Sequence, residues 1–295
     1  MTALEATGLG KRYRDTWALR EVFLSVPRGR VVALVGPNGA GKTTLMRLAV
    51  GLHRPTTGHL RVFGAEPYGE ALAQVAYVAQ DKPLYDEFTV NEMLNVGRHL
   101  NPRFDLAGAR DRLADLNIPG RARVHQLSGG QRAQLAITLA VAKRVDLIVL
   151  DEPLASLDPL ARHEVMRGLM MAVAETGLTV LLSSHVVAEL DEVCDHLVLL
   201  SRGRVQVAGD IEDILRAHRM LTGPAGMMPG GAYEVIGEDR TERQTSLFAR
   251  LREPIPDPRW TAHELSLTDV VLGYMRSPMS THFPPPVLAE RDDVA

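Results

Sequence analysis

The chain of 295 residues has one cysteine, Cys194. That excludes an internal disulfide framework and fits a reducing compartment. Cys194 ends Val186-Val187-Ala188-Glu189-Leu190-Asp191-Glu192-Val193-Cys194, where apolar residues recur at the spacing of an amphipathic helix, so the thiol reads as part of a core and not as a nucleophile. Long apolar runs are also missing. The longest, Leu135-Ala136-Ile137-Thr138-Leu139-Ala140-Val141-Ala142, is about half of the roughly 18 residues a membrane span needs. The opening Met1-Thr2-Ala3-Leu4-Glu5 lacks the basic start and apolar core of a signal peptide, which leads to the expectation of a cytosolic protein. Any work at a membrane would then require another molecule to hold it there. Charge of one sign is scarce: a formal net charge of −3 gives no global pull toward nucleic acid, and no nucleic-acid partner is expected. Repeats, heptad runs and clusters of metal-ligating residues are absent from the sequence.

A hydrophobic fraction of 45% is enough to fill one large domain or two. The stretch that organises the rest is Gly36-Pro37-Asn38-Gly39-Ala40-Gly41-Lys42-Thr43-Thr44. It follows Val31-Val32-Ala33-Leu34-Val35, which reads as a fully buried strand, and precedes Leu45-Met46-Arg47-Leu48-Ala49-Val50, apolar at helical spacing. This strand–turn–helix context turns a G-x-x-x-x-G-K-[ST] string into a phosphate-binding loop. Its glycines let consecutive backbone N–H groups converge on one anion, and the helix start adds partial positive charge. Lys42 is then expected to reach the β- and γ-phosphates and Thr43 to offer its hydroxyl to Mg²⁺. The chain is read as binding a nucleoside triphosphate.

Other stretches support that chemistry. Leu147-Ile148-Val149-Leu150 is a buried strand that ends at Asp151-Glu152, where α/β sheets bind ligands. Strand alternation would aim the two carboxylates differently, Asp151 toward Mg²⁺ through water and Glu152 toward the proton of an attacking water. Leu127-Ser128-Gly129-Gly130-Gln131 places a natural N-cap and two glycines before a helix running to about residue 143, a second anion cradle. Gln80 ends the buried strand Val75-Ala76-Tyr77-Val78-Ala79, and Ser184-His185 ends Thr179-Val180-Leu181-Leu182-Ser183. His185 thus stands in the same register as Gln80 and Asp151. Tyr13, 23 residues before Gly36, can stack on a nucleobase or be an ordinary exposed strand tyrosine, and Trp17 is a rival stacker.

In chain order, residues 2–30 read as antiparallel strands, 59–64 as a strand, and 81–126 as mainly helical, with Thr89 capping one helix and Pro119-Gly120 ending another. Pro159 starts a helix that Gly177 ends. Residues 196–207 read as an edge hairpin and 210–219 as a further helix. Residues 220–231, rich in Gly, Pro and Met, read as a linker. Strands near 232–236 and 246–250 and a helix at 267–275 follow. The Pro-rich residues 277–295 read as a disordered tail. The expected domains are therefore 1–219, with a helical subdomain at about 81–143, a small accessory region at 220–276, and the tail.

Together these stretches resemble the nucleotide-binding subunit of the ATP-binding cassette (ABC) family. Its motifs occur in family order: Walker A from Gly36 to Thr43, a Q-loop at Gln80, the signature from Leu127 to Gln131, Walker B with Asp151-Glu152, the D-loop Ser156-Leu157-Asp158, and an H-loop at His185. The family's aromatic position falls on Tyr13. The resemblance implies an α/β P-loop NTPase fold with a mostly parallel central sheet, an antiparallel β subdomain, a helical signature subdomain and a small C-terminal α+β extension. It implies an ATPase using ATP and Mg²⁺. Gly36, Asn38, Gly39, Ala40, Gly41, Lys42, Thr43 and Thr44 would hold nucleotide, with Thr43, Gln80 and Asp151 around the metal. Glu152, His185, Lys42 and Gln80 would serve catalysis. A second copy would form a head-to-tail dimer, in which Ser128, Gly130 and Gln131 of one copy face the γ-phosphate held by Lys42 of the other. Asp158 would couple the two sites, and the helical stretch after Gln80 would touch a membrane partner.

The short helical region, residues 183–190 and Ser266-Leu267-Thr268-Asp269-Val270-Val271-Leu272 look most like bacterial drug- and multidrug-type exporter ATPases, which pair with an ABC-2-type membrane subunit. Such a protein would sit in the cytoplasm against the inner face of the membrane. Arg144-Val145 and Ala155 depart from common family residues without touching nucleotide. Other cassettes serve DNA repair, chromosome structure or translation. Repair and chromosome versions insert long coiled coils between Walker A and the signature, where this chain has 83 positions from Gly41 to Val124. Translation factors carry two cassettes, and this chain has one. An importer subunit differs mainly in its partner.

Overall fold

The computed structural model describes residues 2–155, 157–184, 186–187, 190–191, 193–277 and 280–281. At its centre lie three short apolar strands, buried at every residue: β3 (Val31–Val35), β6 (Leu147–Leu150) and β7 (Thr179–Ser184). Continuous apolar runs suit strands covered on both faces. With β5 (Val75–Val78), β8 (His196–Ser201) and β9 (Arg204–Asp210) they form one sheet in the order β5-β6-β7-β3-β8-β9. The first five run parallel, and β9 pairs antiparallel with β8 as the edge strand of the expected hairpin. The C-terminal ends of β3, β5, β6 and β7 therefore meet along one edge of the sheet.

The two-residue period of these strands separates two cores. Val31, Ala33, Val35, Ile148 and Leu182 pack on one face with α4 (Gly129–Ala142) and α5 (Pro159–Thr176). Val32, Leu34, Val149 and Leu181 face the other way, toward α1 (Lys42–Ala49) and an antiparallel sheet of β1 (Thr2–Tyr13), β2 (Thr16–Pro27) and β4 (Thr57–Val62). Burying each such Leu or Val stabilises the fold by about 1.5–3 kcal/mol. The strand expected at 59–64 starts and ends two residues earlier, because Phe63 takes φ 50° and Gly64 φ 84°, which ends the extended run.

A smaller core, including Val90, Leu94, Leu113 and Leu135, joins α2 (Val90–Leu100), α3 (Leu106–Asp115) and α4 into the expected helical subdomain. Its first helix starts only at Val90, behind a reciprocal Thr89–Glu92 capping box, so residues 81–89 are not helical as expected. α5 starts at Pro159 and is ended by Gly177 at φ 66°, both as expected from sequence, and Asp158 caps it by accepting the Ala161 N–H. Cys194 is buried, as expected, and burial pushes its thiol up to about 12. The helix expected at 186–194 includes Ala188, Glu189 and Glu192, which lie outside the described residues.

The linker expected at 220–231 is replaced over its first part by a strand. After α6 (Ile211–Ala217), β10 (His218–Pro224) is paired on both sides in a sheet of order β11-β12-β10-β13, formed with β11 (Tyr233–Arg240), β12 (Gln244–Leu251) and β13 (Thr261–His263). Here glycine serves packing and not looseness: a Cβ on Gly223 would stand 2.4 Å from the Trp260 ring. The boundary expected at 219–220 thus falls inside a strand. α7 (Leu267–Arg276) and β12 supply Val270, Val271, Tyr274 and Phe248 to the same core as the parallel sheet. Gln206 on β9 donates to the backbone oxygens of Tyr274 at 2.7 Å and Ser277 at 2.8 Å, fastening the end of α7 to the central sheet. Of the expected tail, Pro278, Met279 and residues 282–295 lie outside the described residues.

Candidate nucleotide-binding site

The loop after β3 is closed by contacts that only glycine permits. A Cβ on Gly36 would stand 2.2 Å from the Leu200 carbonyl oxygen. Gly41, at φ 107°, would drive one to 2.6 Å from the Ala18 carbonyl oxygen and the Leu19 side chain. Gly41 is also the N-cap of α1, and no side chain caps that helix. The other α-helices of the described residues all start with a side-chain acceptor. The first N–H groups of α1 are thus left for an anion, with the helix dipole behind them.

Lys42 lies across this loop. Its Nζ donates to the Gly36 carbonyl at 2.6 Å and, more weakly, to that of Pro37 at 3.4 Å. Burial draws its ammonium below the ordinary lysine value, while Glu152 and Asp151 act in the opposite direction. A cavity of about 640 Å³ opens over the loop, lined by Tyr13, Ala18, Asn38, Gly39, Ala40, Gly41, Lys42, Thr43, Thr44, Gln80 and Glu152. Ten of the residues expected at the site therefore share one cavity. Gly36 is buried and is not among the lining residues. Trp17, the rival stacker, is not in the lining and sits instead under the Arg12 guanidinium, 5.6 Å from its ring centre.

Asp151 is 2% exposed and follows the last residue of β6. Both carboxylate oxygens are held: Ser183 donates to Oδ1 at 2.9 Å and Tyr77 to Oδ2 at 3.3 Å. Burial, and then the Asp151 charge, raises the Tyr77 phenol above its usual range, which keeps it a donor. The Glu152 backbone N–H donates to the Ser183 hydroxyl at 2.8 Å. Pleat alternation does not separate the two carboxylates as expected, because the strand has already ended at Leu150. Glu152 instead turns into the left-handed region, φ 48°, and its carboxylate accepts from Gln80 Nε2 at 3.2 Å. Such a turn at a non-glycine residue costs about 1–3 kcal/mol and is held by its surroundings.

Ser183 and Tyr77 were not singled out from sequence. Ser183 is a buried polar residue directly after Val180-Leu181-Leu182, and since Leu150 pairs with Leu182, the next positions on the two segments set it beside Asp151. Ser128, Gly130 and Gln131 do not join the cavity lining. Ser128 accepts the Gln131 N–H at 3.2 Å while Gln131 Oε1 accepts the Ser128 N–H at 3.1 Å, a capping box at the start of α4. His185 and Ser156 lie outside the described residues.

The donor set suits Mg²⁺, which takes hard oxygen ligands and keeps several waters. Thr43, Asp151 and the Gln80 amide supply such oxygens. Among the described residues no group of three or more His, Cys, Asp or Glu is placed to hold a metal.

A loop of this build grips a polyphosphate, and the fold around it is that of a P-loop nucleotide hydrolase. The ABC transporter family matches residues 19–155. The Nod factor export ATP-binding protein I of Ralstonia nicotianae is 34% identical over 262 residues, covering 85% of this chain and 78% of its own length. The sulfate/thiosulfate import ATP-binding protein CysA 2 of Chromobacterium violaceum is 32% identical over 282 residues, covering 87% and 76%. A solved ATP-binding subunit of an ABC transporter superposes with a TM-score of 0.66 at 30% identity, over 73% of this chain and 92% of that one. The chain belongs to the ABC transporter family, as an ATP-binding, ATP-hydrolysing subunit. No described helix is long and apolar enough to cross a membrane.

Proposed function

We propose that the chain powers an exporter by hydrolysing Mg-ATP in a head-to-tail dimer of two copies, docked on an ABC-2-type membrane subunit at the inner face of the membrane. One observation carries the dimer: the cavity gathers Tyr13, the phosphate loop, Gln80 and Glu152, while the signature residues Ser128, Gly130 and Gln131 lie outside it. A second copy brings its signature helix start to the γ-phosphate and completes the site. The Nod factor export ATP-binding relative, at 34% identity over most of the chain, supports the direction, as does the C-terminal segment at residues 266–272.

Within each site Lys42 exchanges its carbonyl partners for phosphate oxygens, and the free N–H groups of α1 take the remaining charge. Thr43 and Asp151, with Gln80 beside them, would hold Mg²⁺, which would supply positive charge against the phosphates. Glu152 accepts the proton of the attacking water, and Gln80, bonded to it, senses the γ-phosphate. His185 contacts the γ-phosphate, and Tyr13 stacks on the adenine.

The test is co-expression with the membrane protein of the neighbouring reading frame. The reading predicts co-purification with a six-span partner and Mg-ATP-dependent extrusion of a drug from loaded cells. ATP-driven accumulation would make it an importer, and no membrane partner would return it to the soluble cassettes.

A further inference from the structure

Tyr13 is the only aromatic among the described lining residues, and it is 42% exposed at the end of β1. An exposed tyrosine on a strand end is free to swing about two torsions, which weakens any stacking it offers. Two residues outside the cavity remove that freedom. His53, from the turn after α1, meets the Tyr13 ring edge-on, with centroids 5.8 Å apart and planes at 77°. Lys11, two positions earlier on the same strand face, brings its ammonium to 5.3 Å from the ring centre. That ammonium is itself tethered, donating to the Arg54 carbonyl at 2.7 Å.

The 53–56 segment is fixed in turn. His53 N–H donates to the Arg47 carbonyl at 3.2 Å near the end of α1, and the Tyr68 hydroxyl donates to the His53 carbonyl at 3.3 Å. Thr56 N–H donates to the Gly10 carbonyl at 2.7 Å, and Arg12 N–H to the Thr56 hydroxyl at 3.0 Å. The tyrosine is therefore braced from the helix whose other end forms the phosphate loop. Hydrogen bonds thus link the base platform to the helix that carries the phosphate cradle.

We infer that His53 and Lys11 are positioning residues that set the Tyr13 ring plane for a nucleobase, and so govern the share of nucleotide affinity that comes from the base. The inference rests on the reading that Tyr13 stacks on that base. An edge-on ring and a cation against a π-face both favour one ring orientation. Fixing it beforehand removes an ordering cost from binding.

Equilibrium titration of the full chain with ADP and with inorganic pyrophosphate, which has no base, separates the possibilities. Tyr13→Ala should weaken ADP at least about fivefold and leave pyrophosphate within about twofold, given the usual size of aromatic–base stacking. His53→Ala and Lys11→Met should each weaken ADP about two- to fivefold, spare pyrophosphate, and add nothing in the Tyr13→Ala background. His53→Phe, which keeps the edge-on ring, should restore ADP affinity. Should Tyr13→Ala weaken ADP while His53→Ala and Lys11→Met do not, the brace is wrong and stacking stands. Equal losses for ADP and pyrophosphate in the His53 and Lys11 variants would make their role merely structural and overturn the inference. An unchanged ADP-to-pyrophosphate ratio in Tyr13→Ala would overturn the stacking reading itself.

Discussion

Ser183 donates to Asp151 Oδ1 at 2.9 Å, and the same hydroxyl accepts the Glu152 N–H at 2.8 Å. One buried serine on β7 thereby sets the direction of the first carboxylate and holds the left-handed turn that aims the second. Without it, a buried acceptor and a partly buried N–H lose their partner, at a cost of about 1–3 kcal/mol. Ser183→Ala is predicted to lower the urea midpoint and to reduce ATP turnover about tenfold or more, with metal-free ADP affinity unchanged. A steady-state assay across Mg²⁺ concentrations checks this, and wild-type turnover in a folded variant would show that Ser183 only fills space.

Composite sites make a prediction that single mutants do not. Lys42→Ala removes the charge opposite the phosphates, worth about 1.5–3 kcal/mol for a charge-assisted contact, and so abolishes turnover in its own cavity. Ser128→Arg spoils the signature start of α4 and leaves the phosphate loop intact. Each variant alone builds no complete site, and a mixture builds dimers with one. ATPase activity should return on mixing. Its failure to return in mixed dimers verified by mass would place each site within a single chain.

His196 gives a pH signature of folding. Burial pulls its imidazole down to about 4, against the opposing pull of Asp210, and its Nε2 is buried without a hydrogen-bond partner among the described residues. The ring is neutral in the folded protein while the unfolded chain takes up a proton near pH 6.5. The unfolded state thus binds more protons, and stability falls as pH drops from 6.5 toward 4, by about 3 kcal/mol from this group. His196→Gln should flatten that part of the stability profile relative to wild type, read from urea midpoints at several pH values. Parallel profiles for the two proteins would contradict the shift.

The glycine loop, the buried strands and the capped helices were legible because each is a local pattern: an apolar run, a helix period, a residue that accepts an N–H. Ten of the expected site residues meet in one cavity because the strands that carry most of them are parallel and end along one edge. The β10 strand was not legible, since Gly223 and Pro224 resemble loop chemistry until Trp260 is seen packed over the glycine. Ser183 and Tyr77 were hidden for a related reason. Their role comes from the neighbours that strand pairing gives them, Asp151 and Glu152, and periodicity carries no information about which strands pair.

The account depends most on Glu152 as the proton acceptor, with Asp151 held apart from it by Ser183 and Tyr77. Asp151→Asn should lose Mg²⁺-dependent binding as well as rate. Glu152→Gln keeps size and the contact to Gln80 but cannot take a proton. The decisive measurement is its hydrolysis rate with Mg-ATP beside size-exclusion chromatography of the same sample. The account predicts a fall of roughly 10²–10⁴ in rate, retained ATP binding and a dimer that forms only with ATP. A Glu152→Gln protein that hydrolyses ATP near the wild-type rate would contradict it.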